Sequence, residues 1–489
     1  MALALPAFLC FVSGFLLVRL SWSRVTPLAS ELMMQTSLSV GFGLGVFSVT
    51  YFIARVAGIT NLLVIDVGIA AFLLVALILF RPKRASTAPT VSIGNPIEPS
   101  WLRRSVTITF ALTLCTALYA TIMRTLAHPH GDGWDAFAIW NLHARFLFLG
   151  GSHWRDGFTA LLPGSHPDYP LLLPAATAHF WTFLGHDDPR VAAVISLLFT
   201  LSTAGLLFTA LSILSGQWRA MLGGIALLAT PSFIEQGTSQ YADVPLSFFF
   251  LATIALLRLH DDLARKVLAH NDRNPEEPSR FSSRLLVLAG LAASFAAWTK
   301  NEGLLFLCAI VGARLFELCR AEVSVKNWLA RIRPLIPFLL GVVPGLLLIA
   351  FFKHSIAPPS DLFSSSATTV HKLLQPSRYW AIIQWYVKGF FRFGHWLLVP
   401  GTVLLLVLYF LGGKRESVQP QAGIRTSVIA LTFTLAGYFA VYLITPHDIY
   451  WQLRFSLNRL FLQLWPSAIF LFFLALNAAD PVQPPLVSK

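Results

Sequence analysis

Apolar residues in this chain fall in long runs, without the strict alternation of a half-buried strand. The runs lie near 2–20, 37–56, 61–80, 106–123, 191–215, 219–235, 242–258, 284–299, 301–318, 335–353, 396–412, 427–445 and 460–478. Most are about 17–25 residues, the length that crosses a hydrocarbon core of about 30 Å. Inside lipid each backbone N–H and C=O must find its partner within the segment, so runs of this kind become helices. The pattern therefore predicts an all-α, polytopic helical membrane protein of about 13 spans. No internal repeat and no separate soluble domain stand out.

The intervals between runs alternate in character. One set is basic: 81–105, with "RPKR" and "WLRR", 258–284, 314–334 and 413–425. The other set is rich in Trp, Tyr, His and Asp: 124–190, 354–395 and 446–459. Lysine and arginine concentrate in cytoplasmic loops, so the second set is expected to face outward. One apolar stretch breaks the alternation, because charge counting places both ends of 170–184 outside. At 1.5 Å per residue it reaches only about 22 Å, and it carries Pro174 and His179. It is expected to lie at, or dip into, the outer interface. A second interfacial helix is expected to start at Asp135, with Phe137, Trp140, Ala144 and Leu147 on one side and Asn141 and Arg145 on another.

Composition narrows this reading. Of 489 residues, 56% are hydrophobic and only 12% charged, which excludes an ordinary soluble domain. The formal charge of +13 would suggest nucleic acid in a soluble chain. Here the basic residues sit in short loops between spans, so membrane orientation accounts for them and no nucleic-acid partner is expected. The start, "MALALPAFLCFVSGFLL", lacks a basic leader region and a clear cleavage site, and is expected to be a retained helix. Cys10, Cys115, Cys308 and Cys319 lie in or beside apolar runs without a CxxC or disulfide spacing, and read as packing residues.

The candidate chemistry gathers on the outward side: Asp132, Asp135, His166, Asp168, Asp243, Lys300, Glu302, Arg378, His447, Asp448, Arg454 and Arg459. Polar groups at membrane depth cost about 2.5–3.5 kcal/mol each on insertion scales, and usually mark a site. In "GDGWDAF", Asp135 is either the N-cap of the interfacial helix or a carboxylate acting as general base or ligand. Asp132, between two glycines, is a turn residue or a second acid. In "SHPDYPLLLP", His166 and Asp168 are part of a proline-stiffened turn, or ligands for a divalent metal cation with Asp243 as a third oxygen donor. Asp243 could equally cap the span it opens. Lys300 and Glu302 of "TKNEG" form a minimal turn between two apolar helices. Arg454 and Arg459 of "YWQLRFSLNRLFLQLWP" either snorkel to headgroups or form a fork for a phosphate.

Taken together, these motifs resemble the GT-C glycosyltransferases. The resembling features are an outward Asp opening an interfacial helix after a span, a "HPxxPL"-like second interfacial helix, an Asp before "PL" and an aromatic run, and "TKxEG". The protein O-mannosyltransferases and the lipid A aminoarabinose transferase are the nearest relatives that can be named. The resemblance covers roughly 106–320, and the C-terminal third loosely. It departs in having three helices before the catalytic loop, and in reading Asp135-Ala136 where the family has an Asp-Glu pair.

The resemblance implies an N-terminal accessory part (1–105), a catalytic membrane core (106–320) with outward loop 124–190, and a C-terminal part (321–489) with outward loop 354–395. It implies an inverting glycosyltransferase in a bacterial inner membrane, with its active site outward. The donor would be a polyprenyl-phosphate sugar and the acceptor a glycan, lipid or protein. Asp135, with Asp132 beside it, would act on the acceptor. Lys300, Arg454, Arg459 and Asp243 would bind the donor phosphate, directly or through a metal. Two other classes stay open: a transporter or flippase of a lipid-linked sugar, which should show inverted repeats, and an O-antigen ligase or polymerase, which would rely on the outer-loop arginines.

Overall fold

The computed structural model describes residues 2–22, 29–80, 100–269, 276–320, 333, 335–363, 366–396, 407 and 422–476. Most of the expected span at 396–412, and most of the basic loops at 81–105, 314–334 and 413–425, lie outside the described residues. The helices, in chain order, are α1 (Ala4–Leu20), α2 (Ala29–Ala57), α3 (Leu62–Leu79), α4 (Ser100–Ala127), α5 (Ala136–Leu149), α6 (Leu172–Leu184), α7 (Pro189–Ser215), α8 (Gln217–Leu228), α9 (Pro231–Thr238) and α10 (Asp243–Ala269). They continue as α11 (Glu276–Thr299), α12 (Asn301–Arg320), α13 (Leu335–Ser355), α14 (Ser366–Leu373), α15 (Pro376–Arg392), α16 (Ala422–Ile444) and α17 (Ile449–Ala475). No strand occurs among the described residues.

Eight of these helices are long and apolar enough to cross a membrane: α2, α3, α4, α7, α10, α13, α16 and α17. The protein is a multi-pass helical membrane protein on this evidence. Helices α1 and α11 contain shorter apolar stretches, and α12 occupies the expected 301–318 run. The run at 219–235 is not one span. It divides into α8 and α9 at Thr230, which is extended (φ −84°, ψ 107°) ahead of Pro231. Proline disfavours a helical conformation in the residue before it, and it supplies no N–H to continue the ladder.

Helix α10 lies at the centre, with 94% of its apolar window buried. Its Phe248, Phe249 and Phe250 are fully covered, as expected of a helix apolar all round. It packs on α7, α11 and α17. Helix α2, of the expected N-terminal accessory set, also packs inside the bundle against α7 and α6. By contrast α3 and α4 bury only 17% of their windows and form the periphery. Helices α11 and α13 approach closely because Gly290 and Gly341 face each other's backbone; a Cβ on Gly341 would strike the Val287 carbonyl oxygen.

Two expectations at the 128–185 segment change. Helix α6 has 13 residues, about 20 Å, too short to cross. It does not lie on an open surface, however: residues 172–181 are all buried, and α6 packs against α2, α5 and α7. Helix α5 opens with a π-turn over Ala136–Asn141. The extra residue per turn shifts the register, so Phe137 points out (62% exposed) while Ala136, Ile139, Trp140, Asn141, His143, Ala144 and Leu147 are buried. A uniform 3.6-residue period puts Phe137 on one side with Trp140, Ala144 and Leu147, and Asn141 on another.

Candidate functional site

Four separate stretches meet at one end of the bundle. The first is the loop leading into α5. Gly131 (φ +84°) and Gly133 (φ +104°) hold left-handed conformations that β-carbon-bearing residues rarely take. A Cβ on Gly133 would also lie 2.5 Å from Tyr241 Oη. The loop thus lies against Tyr241 and sets Asp135 at the head of α5. Asp135 makes no capping bond to α5. Its Oδ2 instead pairs with Arg459 Nη1 at 2.7 Å.

Arg459 joins this loop to the start of α10. Its Nε donates to Asp243 Oδ2 at 2.8 Å, and its guanidinium lies 4.5 Å over the Tyr241 ring. Asp243 is fully buried and likewise caps nothing. Its Oδ1 accepts from Gln463 Nε2 at 2.6 Å and from Lys300 Nζ at 3.3 Å. Lys300 also pairs with Glu302 Oε1 at 2.8 Å and sits 5.8 Å from the Tyr169 ring centroid. Tyr438 Oη donates to Gln463 Oε1 at 2.6 Å, which fixes the amide that faces Asp243. Three carboxylates and two cations therefore form one continuous network across α5, α10, the α11–α12 turn and α17. Burial works against the charge on Lys300, but the Asp243 and Glu302 carboxylates outweigh it and hold the ammonium above the ordinary lysine range.

Beside the network lies the 165–170 turn. Asp168 Oδ2 accepts from Asn301 Nδ2 at 2.8 Å and from Lys353 Nζ at 3.3 Å. Lys353 also donates to the Asp168 carbonyl and, at 2.9 Å, to Asn301 Oδ1. His166 has a positive φ of 49°, a strained conformation for a non-glycine residue, and stacks 4.6 Å from Tyr169. Burial lowers the His166 imidazole below its ordinary value, against the pull of Asp168, Asp361 and Asp135. Burial raises the Tyr169 hydroxyl, with Glu302, Asp168 and Asp135 adding to the effect. His166 and Tyr169 thus both feel the Asp135 charge that Arg459 binds.

Of the residues singled out in the sequence, Asp135, Asp243, Lys300, Glu302 and Arg459 are brought into direct contact, and His166 and Asp168 lie beside them. Others are placed elsewhere. Asp132 pairs with Arg124 at 2.8 Å, at the end of α4. Arg454 is exposed and lies against its neighbour Phe455. Arg378 donates to the Tyr442 and Thr445 carbonyls, His447 pairs with Asp361 at 3.0 Å, and Asp448 caps α17 through Trp451 N.

The expected ligand set of His166, Asp168 and Asp243 does not form. Among the described residues no three His, Cys, Asp or Glu side chains group around a common point. Both Asp243 oxygens face cationic or amide donors, and Asp168 is held by Lys353 and Asn301. These donors do not fit a shared cation, and no step below is routed through one. The cysteines are free thiols, with Cys10 buried and Cys115, Cys308 and Cys319 exposed on their helices.

Tyr241, Gln463, Lys353 and Asn301 complete the site but were not singled out in the sequence. Gln463 and Lys353 carried a usable signal, being polar within or at the end of apolar runs. Compared with protein-family models, curated proteins and solved structures, the chain matches none, so the reading of this site rests on its own geometry.

Proposed function

We propose that the protein is an integral membrane glycosyltransferase that moves a sugar from a polyprenyl-phosphate donor to an acceptor hydroxyl on the outer face, with inversion. The observation that carries this reading is the Asp135–Arg459–Asp243–Lys300 network. It combines, at one end of the bundle, a carboxylate able to take a proton with two cations able to hold a phosphate. The cations are already paired, so binding proceeds by exchange. The donor phosphate takes Arg459 Nη1 from Asp135, while Asp243, itself held by Gln463, keeps the guanidinium in place. Asp135, released from its counter-ion, accepts the acceptor's hydroxyl proton. The hydroxyl oxygen bonds to the anomeric carbon, and the bond from that carbon to the phosphate oxygen breaks. Its electron pair leaves on the phosphate, held by Arg459 and Lys300.

The test is transfer of labelled sugar from polyprenyl phosphate by the purified protein in lipid vesicles, in the parent, Asp135→Asn and Asp132→Asn. Asparagine can still accept a hydrogen bond from Arg459 but cannot take a proton, and loss of a general base costs about 10²–10⁴ in rate. Asp135→Asn is expected to lose at least about two orders of magnitude, and Asp132→Asn far less. Near-parent transfer by Asp135→Asn removes Asp135 from the chemistry.

A second reading draws on the same network. Mutually neutralised charges that join several helix ends also suit the gate of a transporter for a lipid-linked sugar. Vesicles in which labelled lipid changes leaflet without sugar transfer, in an Arg459-dependent way, would select that reading.

A further inference from the structure

Helix α4 meets the α8–α9 arm at two levels and parts from it between them. At one level Thr107 Oγ1 lies 3.7 Å from Met221 Sδ, and a Cβ on Gly224 would lie 2.6 Å from the Phe110 ring. At the other, Arg124 Nε donates to Thr238 Oγ1 at 3.3 Å. Between the two, the arm is broken at Thr230–Pro231, and a groove of about 580 Å³ stays open, within the size range of ligand sites. It follows α4 from Leu112 to Arg124, about 18 Å at the helical rise. Thr116, Ala117 and Ala120 line it from α4, and Leu228, Pro231 and Ile234 from the arm. Arg124 and Glu235 line its end nearest the loop that leads into α5.

The depth of the groove selects an apolar chain. Helix α4 is long and apolar enough to cross a membrane, and only 17% of its apolar window is buried, so its open face meets hydrocarbon. The charged end selects the head. The Arg124 side chain is 36% exposed, and Asp132 and Thr238 take two of its five N–H groups. The Glu235 side chain is 40% exposed and meets His395 Nδ1 through Oε2 at 3.1 Å. That contact is built by strained backbone. Gly394 (φ +91°) accepts from Ser232 N at 3.1 Å, and His395 follows with a φ of +58°.

A phosphate suits the Arg124 guanidinium. A primary ammonium suits Glu235 and Asp132, because it donates three hydrogens where a quaternary ammonium donates none. A head with phosphate alone would meet two carboxylates beside a single arginine. We propose that this groove binds one membrane phospholipid of the phosphatidylethanolamine type, its acyl chain along α4, its phosphate at Arg124 and its ammonium at Glu235. The proposal does not depend on the reaction assigned above. The groove is lined by neither Asp135, Asp243, Lys300 nor Arg459.

The experiment is native mass spectrometry of the purified full chain, after addition of equal amounts of dioleoyl phosphatidylethanolamine, phosphatidylcholine and phosphatidylglycerol. Identical chains leave the head as the only difference. The parent is expected to retain one phosphatidylethanolamine, favoured over each competitor by about fivefold, the order of one exposed charge-assisted hydrogen bond. Ala120→Phe and Thr116→Trp each fill the groove and should lose that lipid. Thr116 is exposed, so its variant should insert even where Ala120→Phe does not. Glu235→Gln should keep a bound lipid and lose the preference for the ammonium head. Equal retention by the parent and the filled variants overturns the groove as the site. A parent without the preference, or a preference unchanged in Glu235→Gln, overturns the assignment of the head.

Discussion

Replacing Arg459 by methionine tests the central network most directly. Arg459 carries two short ion pairs, 2.7 Å to Asp135 and 2.8 Å to Asp243. Its side chain is 17% exposed and that of Asp243 is fully buried, so water cannot substitute for the lost partner. Surface pairs contribute about 0–1 kcal/mol, but removing one partner of a buried pair costs about 3–5 kcal/mol, because the other charge stays behind. Asp243 retains Lys300 and Gln463, which places Arg459→Met toward the lower end, near 3 kcal/mol. The assay is equilibrium unfolding in mixed micelles with rising SDS fraction.

A double variant separates charge from packing. Adding Asp243→Asn to Arg459→Met removes the stranded buried charge, so the double variant should be more stable than Arg459→Met alone. Arg459→Lys should fall between parent and Arg459→Met, since one ammonium cannot reach both carboxylates with a planar fork. If Arg459→Met lies within about 1 kcal/mol of the parent, or the double variant is no more stable than the single, the network is not held together by these pairs.

Two other outcomes are expected. Cysteines placed at Gly164, where an added Cβ meets nothing within 4 Å, and at the exposed His186 should be labelled by an impermeant reagent from the same side of oriented vesicles; labelling from opposite sides would require α6 to cross. His143 is fully buried with both ring nitrogens unpartnered, and burial pushes its imidazole down to about 4. Its contribution to stability should be whole above about pH 6.5 and fall by about 3 kcal/mol as pH drops toward 4, and His143→Phe should flatten that part of the stability–pH profile.

The site was legible in outline because a charged residue in an apolar chain is conspicuous and costly. Asp135, Asp243, Lys300, Glu302 and Arg459 each stand beside or within an apolar run, and the structure brings them together. That only one of the two arginines can enter the site was also legible. Residues 454 and 459 are five apart, about 140° around a helix, so they cannot share one face. The capping role considered for Asp135 and Asp243 fails for a reason that a local window does not contain. A cap competes for the carboxylate with one or two backbone N–H groups, whereas Arg459, 216 residues from Asp243, brings a full charge. The exposed Phe137 reflects a π-turn, which leaves no simple mark in residue spacing.

The closed pairing of the network constrains how it could work on the proposed reading. An anionic ligand cannot simply add to Arg459 and Lys300, because Asp135, Asp243 and Glu302 already face them. It must displace a carboxylate, and the three differ in what displacement costs. Asp243 is sealed, with donors on both oxygens, so expelling it would strand a buried charge. Asp135 is 23% exposed and pairs with Arg459, so water can receive it when the pair opens. Glu302, 19% exposed, can yield at Lys300 in the same way; at Arg459 the exchange runs through Asp135. When the donor phosphate takes Arg459 Nη1, it leaves the Asp135 oxygen free to receive the acceptor's hydroxyl proton. Donor binding would then switch on the group that activates the acceptor. A site arranged in this way keeps its base quiet until both the leaving group and its cations are in place.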